Sequence, residues 1–260
     1  MATNKKSNSA DASRRAALRA QQEAARQKEK RNKILIRVAW GVGAVAIISL
    51  IAVMIFTLTG TRGNGNTATV GNRTPSAVSN DGALVFGNTN AKVTLTVYSD
   101  PMCPYCGQFE RANGDDIVKA VQAGRIQLQL HPLAFLDQMS RGTQYSTRAS
   151  NALVAVSDAD PEAGLRFYQS LYAAGTQPEE NSSGLTDDQL ADLARKAGAH
   201  EDVVTSLKDQ NYAGWVKDQT TKAFDSGITG TPTIRINGKD FTGDFRSPGA
   251  IEQAITQAGA

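Results

Sequence analysis

Val93-Thr94-Leu95-Thr96-Val97-Tyr98-Ser99-Asp100-Pro101-Met102-Cys103-Pro104-Tyr105-Cys106 is the stretch that decides the fold. All of Val93 to Tyr98 except Leu95 are β-branched or aromatic, the composition of a strand. Two cysteines follow, the only two in the 260-residue chain. Pro104 stands between them where a helix would begin. Proline fits a first helical turn because the N–H it lacks would be unpaired there anyway. The helix runs to about Ala123, and Gly124 ends it. Ile126-Gln127-Leu128-Gln129-Leu130 then alternates apolar and polar residues as a second strand. A strand, a helix and a strand of these lengths form a βαβ unit with parallel pairing.

Downstream the pattern turns helical. Asp160-Pro161 reads as an N-cap with proline at the first helical position, ahead of Leu165, Tyr168, Leu171 and Tyr172. Thr186 and Gln189 form a capping box before Leu190 and Leu193, and Gly198 closes that helix. A further helix spans about Tyr212 to Asp225, with Gly227 at its end. The sheet resumes at Thr233 to Ile236. Asn237-Gly238 makes a hairpin turn to a strand at Lys239 to Thr242, and Ser247-Pro248 starts a last helix. The order is β-α-β, a helical insertion at about 142–227, then β-β-α, an α/β fold.

Upstream the chain changes character. Residues 1–33 hold ten basic and three acidic residues, a net charge of +7. The whole chain is only +3, and with Arg37 counted the remainder is −5. A basic arm is thus attached to an acidic body. Between them Val38 to Leu58 gives 21 residues without a charge. At ~1.5 Å per residue a helix of that length covers ~30 Å, one bilayer core. The apolar run is longer, and its leader longer, than a cleaved signal peptide has. Residues 34–59 are therefore expected to be a single transmembrane anchor. The positive-inside rule places residues 1–33 in the cytoplasm as an orienting arm rather than a nucleic-acid-binding one, with the body outside. Residues 60–82, rich in Gly, Asn, Thr and Ser, read as a flexible linker. The folded domain is expected at 83–260.

The cysteines carry the chemistry. As a structural staple a four-residue loop is worth only ~2 kcal/mol by chain entropy. A zinc site needs about four ligands, and only His131 and His200 could join the thiols, from separate segments. Redox exchange fits better. Cys103 falls at the helix N-cap, facing unpaired N–H groups and the positive end of the helix dipole, which favour thiolate. Cys106 lies one turn deeper. Cys103 is expected as the exposed attacking sulfur and Cys106 as the one that resolves a mixed disulfide from beneath. Asp100 would oppose a thiolate nearby, or else cap the loop. Gly230-Thr231-Pro232-Thr233 opens a strand, and a cis proline opposite the cysteines would leave the preceding backbone free to pair with a substrate. His131 is expected as a strand-end histidine with its hydrogen bond satisfied, and Trp215 as helix packing. No Gly-rich phosphate loop appears.

With both motifs placed, Tyr98 to Cys106 and Gly227 to Thr233 resemble the thioredoxin superfamily, and within it the DsbA-like thiol oxidoreductases. The insertion between the motifs separates these from plain thioredoxins. The resemblance covers about residues 83–260. It implies a thioredoxin-like fold, a redox disulfide between Cys103 and Cys106, Cys103 as nucleophile and Cys106 as resolving thiol. It implies a Cys-Pro-Tyr-Cys motif completed by Pro104 and Tyr105, and Thr231-Pro232 as a substrate platform. It implies no metal and no cofactor. Its expected partners are exported proteins with cysteine thiols and a quinone-linked membrane reoxidant. The anchor and linker are similar to exported oxidoreductases of actinobacteria. The expected function is an extracytoplasmic oxidoreductase that introduces disulfides. The competing functions are a reductase or isomerase of the same fold, and a non-catalytic binding module or holdase. One position departs from the pattern. Val97 stands where thioredoxin and DsbA carry a buried carboxylate, six residues before the first cysteine.

Overall fold

The computed structural model describes residues 71–260. The expected arm and anchor lie outside the described residues, as do residues 60–70 of the expected linker. Among the described residues no helix is long and apolar enough to cross a membrane.

Five strands form one sheet in the order β1-β3-β2-β4-β5. They are β1 (Leu84–Gly87), β2 (Val93–Ser99), β3 (Ile126–Pro132), β4 (Thr233–Ile236) and β5 (Lys239–Asp240). β2 and β3 run parallel, as the βαβ pattern requires, with Val97 beside Leu130. β4 lies antiparallel on the other side of β2, with Val97 beside Ile234 and Tyr98 beside Thr233. The crossover helix is α1 (Pro104–Gln122). The insertion comprises α2 (Tyr145–Ala159), α3 (Pro161–Tyr172), α4 (Asp187–Ala197), α5 (Glu201–Ser206) and α6 (Ala213–Asp225). α7 (Ala250–Gln257) ends the chain.

Alternation along the strands divides the core. Leu95, Val97, Leu128, Leu130 and Ile234 share one buried cluster with Cys106, Phe109 and Ile117 of α1 and Ile251 and Ile255 of α7. Tyr98 belongs to a smaller cluster with Leu133, Ile228 and Ala223 of α6. The period of two along β2 therefore sends Val97 toward the cysteine helix and Tyr98 away from it.

The local signals at helix ends hold. Asp160 accepts from the N–H groups of Glu162 and Ala163 at the start of α3. Thr186 and Gln189 form the reciprocal capping box of α4, and Gly198 caps it in the left-handed region. Asn237 and Gly238, at φ 50 and 77, supply the two left-handed residues of a type I′ hairpin.

Four expectations need correction. β1 was not foreseen, and it pairs antiparallel with β3, Leu84 beside Leu130. Four residues on an edge give too short a pattern to separate from a loop. The strand after the hairpin ends at Asp240 rather than Thr242. The last helix starts at Ala250, because Gly249 takes φ 76 and breaks the turn begun at Ser247. Residues 71–82, expected as linker, are tied to the helical insertion. Arg73 N–H donates to the Asn211 carbonyl at 2.8 Å, and its guanidinium lies 5.5 Å from the centre of the Tyr212 ring. Ser76 donates its hydroxyl to Asp158 at 2.6 Å. Their composition is polar, but these bonds anchor the backbone, and Val78 packs against the main core cluster.

Candidate active site

Cys103 is the N-cap of α1, and Pro104 follows in its first turn. The Cys103 N–H donates to the Asp100 carbonyl at 3.0 Å, turning the chain out of β2. The Cys103 side chain makes no capping bond to the helix. Instead its Sγ lies 3.2 Å from the carbonyl oxygen of Thr231, at donor distance. The Thr231–Pro232 peptide is cis. The two expected motifs, 128 residues apart, thus meet at one sulfur. Both cysteines are free thiols here.

Cys106 is fully buried, as expected of the deeper thiol. Cys103 is not the exposed sulfur anticipated, since only 5% of it is accessible. Thr231 sits against its sulfur, and the Gln177 amide donates to its carbonyl at 2.8 Å. Gln177 reaches that carbonyl over Gly107, where a Cβ would lie 1.8 Å from its Oε1. Tyr105 is more than half exposed, and with the exposed Pro104 it forms the part of the motif that faces solvent.

The two thiols are electrostatically divided. Cys103 is lowered to about 6, first by the Cys106 thiol, then by the Thr231 side chain and by the helix N-terminus at Cys106 and Tyr105, against the opposing effect of burial. Burial pushes Cys106 well above the usual thiol value, and its bond to Cys103 adds to this. A thiolate on Cys103 is therefore held by a neutral thiol beneath it.

Asp100 is fully buried in the loop between β2 and Cys103. It accepts from Met102 N–H at 2.8 Å, Leu136 N–H at 2.9 Å and the Ser146 hydroxyl at 2.7 Å. The loop-capping role is thus the one observed. Burial raises its carboxyl to about 7, and the Cys103 charge contributes in the same direction.

Val97 leaves no carboxylate on β2 beneath Cys106, but polar groups that the sequence reading passed over are close. Ser99 favours a thiolate on Cys106, against the larger effect of burial, and lies 2.7 Å from the Tyr172 hydroxyl. Tyr168 donates to Ser99 at 3.5 Å, and Glu110 is buried on α1. The Glu110 carboxyl folds over Gly114, where a Cβ would lie 2.2 Å from Oε1. A mid-helix glycine costs about 0.5–1 kcal/mol against alanine, and here it leaves the space the carboxyl fills. A signal existed in the sequence: an acid four residues after Cys106 lies on the same buried helix face.

His131 departs from expectation. It stacks on Tyr98 with ring centres 4.1 Å apart. Its buried Nε2 has no hydrogen bond among the described residues, and Asp81 Oδ2 is 3.6 Å away. Burial lowers it to about 4, so it is neutral near pH 7. Its side chain lies with Tyr98, on the face of the sheet away from Cys106. Trp215 is buried in the main core cluster, as packing. Among the described residues no group of three or more His, Cys, Asp or Glu could hold a metal.

Comparison with known proteins agrees with this geometry. The chain is 35% identical over 163 residues to the serine/threonine-protein kinase PknE of Mycobacterium tuberculosis, covering 60% of this chain and 29% of the kinase. It thus spans under a third of that relative's length. It is 28% identical over 160 residues to Disulfide bond formation protein D of Bacillus subtilis, covering 61% of this chain and 69% of that one. The crystal structure of oxidised DsbA from Mycobacterium tuberculosis superposes with a TM-score of 0.61 at 28% identity, covering 68% of this chain and 93% of that one. A family model described as Thioredoxin matches residues 79–256, and the chain therefore belongs to the thioredoxin family, among its DsbA-like members.

Proposed function

We propose that the protein is an extracytoplasmic thiol–disulfide oxidoreductase that donates the Cys103–Cys106 disulfide to exported proteins. The observation that carries this reading is the division of the two thiols: Cys103 lowered to about 6 at a helix N-terminus, Cys106 buried and held protonated below it. A substrate thiolate attacks Cys103 Sγ of the oxidised pair. The Cys103–Cys106 bond breaks, its electron pair passes to Cys106, and a mixed disulfide forms on Cys103. A second substrate thiolate then attacks the substrate sulfur of that bond. Cys103 leaves as thiolate, which needs no proton at neutral pH. The substrate cysteines are oxidised and the enzyme pair is reduced by the same two electrons.

Cys103 is the nucleophile and leaving group, and Cys106 resolves. Thr231 and Pro232 form the platform against which substrate backbone docks. Pro104 starts the helix, and Tyr105 offers its ring to the substrate. Residues 34–59 anchor the domain on the outer face of the membrane, with residues 1–33 in the cytoplasm. A membrane reoxidant, quinone-linked, restores the disulfide. The name Disulfide bond formation protein D, carried by a relative, supports the donating direction.

Mixing the oxidised protein with a reduced, unfolded cysteine-containing protein tests this. One disulfide is expected to appear in the substrate for each Cys103–Cys106 pair reduced. A pair that stays oxidised while the substrate keeps its thiols contradicts the reading. The identity to part of a kinase favours, as second reading, a non-catalytic binding module, which that second outcome would support.

A further inference from the structure

Gln177 belongs to neither cysteine motif, yet its side chain reaches the cysteine loop. We propose that Gln177, oriented by Arg111, is a positioning residue that clamps the main chain at Pro101 and Cys103 and so holds the Cys103 sulfur at the mouth of α1. This rests on the oxidoreductase reading above and adds a residue that tunes the same pair.

The clamp joins three parts of the chain. Gln177 lies in the turn just past α3, where its N–H donates to the Ala173 carbonyl at 3.2 Å. Its Nε2 donates to the Cys103 carbonyl at 2.8 Å and to the Pro101 carbonyl at 3.4 Å. Its Oε1 accepts from Arg111 Nη1 at 3.1 Å. The same nitrogen of Arg111 donates to the Tyr172 carbonyl at 2.8 Å. That carbonyl ends α3, where the helix dipole favours a cation. Arg111 can only donate and the two loop carbonyls can only accept, so one orientation of the Gln177 amide satisfies them all. Gly107 leaves the room. A Cβ there would run into Gln177 Oε1 and crowd Arg111 Nη1.

The clamp acts on the sulfur through the backbone. The Cys103 carbonyl also accepts from Gly107 N–H at 3.2 Å, the bond that opens α1. Gln177 thus fixes the residue from which the helix starts. The Cys103 sulfur lies 3.2 Å from the Thr231 carbonyl oxygen and is favoured as thiolate by the helix N-terminus at Cys106 and Tyr105. Both contacts depend on where the Cys103 backbone is held. A loosened loop lets the sulfur drift from the N–H groups that favour its thiolate, and the reduced pair then loses stability relative to the disulfide. Cys106 on α1 and Asp100 in the loop are the titratable groups that bear on Cys103. Arg111 is the charged group on the clamp side.

The test uses the full chain and two changes that add no charge and remove none. Gln177→Met keeps the length of the side chain and removes its bonds. Gly107→Ala raises helix propensity and pushes the clamp aside. The reduced proteins are alkylated with iodoacetamide across a pH series, and the Cys103 adduct is read by mass spectrometry. The wild-type rate is expected to have its midpoint at about 6, and the midpoint of both variants is expected to rise to about 7. In glutathione buffers at pH 7 both variants should lie roughly fivefold further toward the disulfide. A variant that keeps the wild-type midpoint and equilibrium overturns the clamp and leaves the oxidoreductase reading standing. A lower melting temperature in Gln177→Met with an unmoved midpoint does the same, because packing alone then accounts for the residue. A wild-type pair that glutathione neither reduces nor reoxidises overturns the oxidoreductase reading and the clamp's role with it.

Discussion

Replacing Cys103 by alanine should abolish disulfide exchange, while replacing Cys106 by alanine should leave the protein bound to its substrates through stable mixed disulfides. The asymmetry follows from depth and charge. Cys103 is the sulfur beside Thr231 and the one lowered to about 6, so bonds to substrate form there. Cys106 is fully buried and kept protonated, so no substrate meets it first. Without Cys103 nothing begins. Without Cys106 nothing inside the protein releases the substrate. Non-reducing electrophoresis of cells carrying each variant reads the outcome. Equal adduct formation by both variants, or by neither, would contradict these roles. Retained activity in the Cys103→Ala protein would instead support the binding-module reading.

Asp100→Ala should be the most destabilising single change in the site. It removes one carboxyl that satisfies Met102 N–H, Leu136 N–H and the Ser146 hydroxyl. Those donors join the cysteine loop, the chain after β3 and α2. Leaving them unpaired costs about 1–3 kcal/mol each, and partial relaxation makes about 3–5 kcal/mol a reasonable total. That is a large part of the 5–15 kcal/mol roughly typical of a domain. Asp100→Asn keeps an acceptor and should cost far less.

The pH dependence has a definite sign. The folded-state value of Asp100 is raised to about 7, against ~3.9 in an unfolded chain. Its contribution is therefore complete below about pH 4 and is lost as pH rises through about 7. Glu110, raised to about 8, acts the same way. Cys103 acts oppositely, since its lowered value gives stability that is lost as pH falls through about 6. Denaturation of the disulfide form removes that opposing thiol. There Asp100→Asn should gain on wild type between about pH 4 and about pH 8. A constant gap across that range would show that Asp100 does not titrate as a buried acid.

The parts of this fold that local chemistry specifies were readable in the sequence. Asp160-Pro161, Thr186 with Gln189, and Asn237-Gly238 each fix backbone geometry with their own side chains or lack of one. The βαβ unit followed from periodicity, and Pro104 placed Cys103 at the helix mouth. Features made by distant contacts were not readable. β1 exists because β3 offers it an edge. Residues 71–82 are held by Asp158 and Asn211, not by their own composition. Cys103 looked exposed because a helix N-cap usually is, and it is covered by residues from two other parts of the chain, Gln177 and Thr231. The hydroxyl cluster of Ser99, Tyr168 and Tyr172 was not readable, because β2 and α3 bring it together from distant parts of the chain.

A disulfide donor must itself be kept oxidised, whereas a reductase or isomerase must be kept reduced. The redox state of Cys103 and Cys106 in growing cells, fixed by acid quenching and read by alkylation, separates the two most directly. The pair is expected to be mostly in the disulfide form. A pair found mostly as free thiols would contradict the proposal that this protein introduces disulfides.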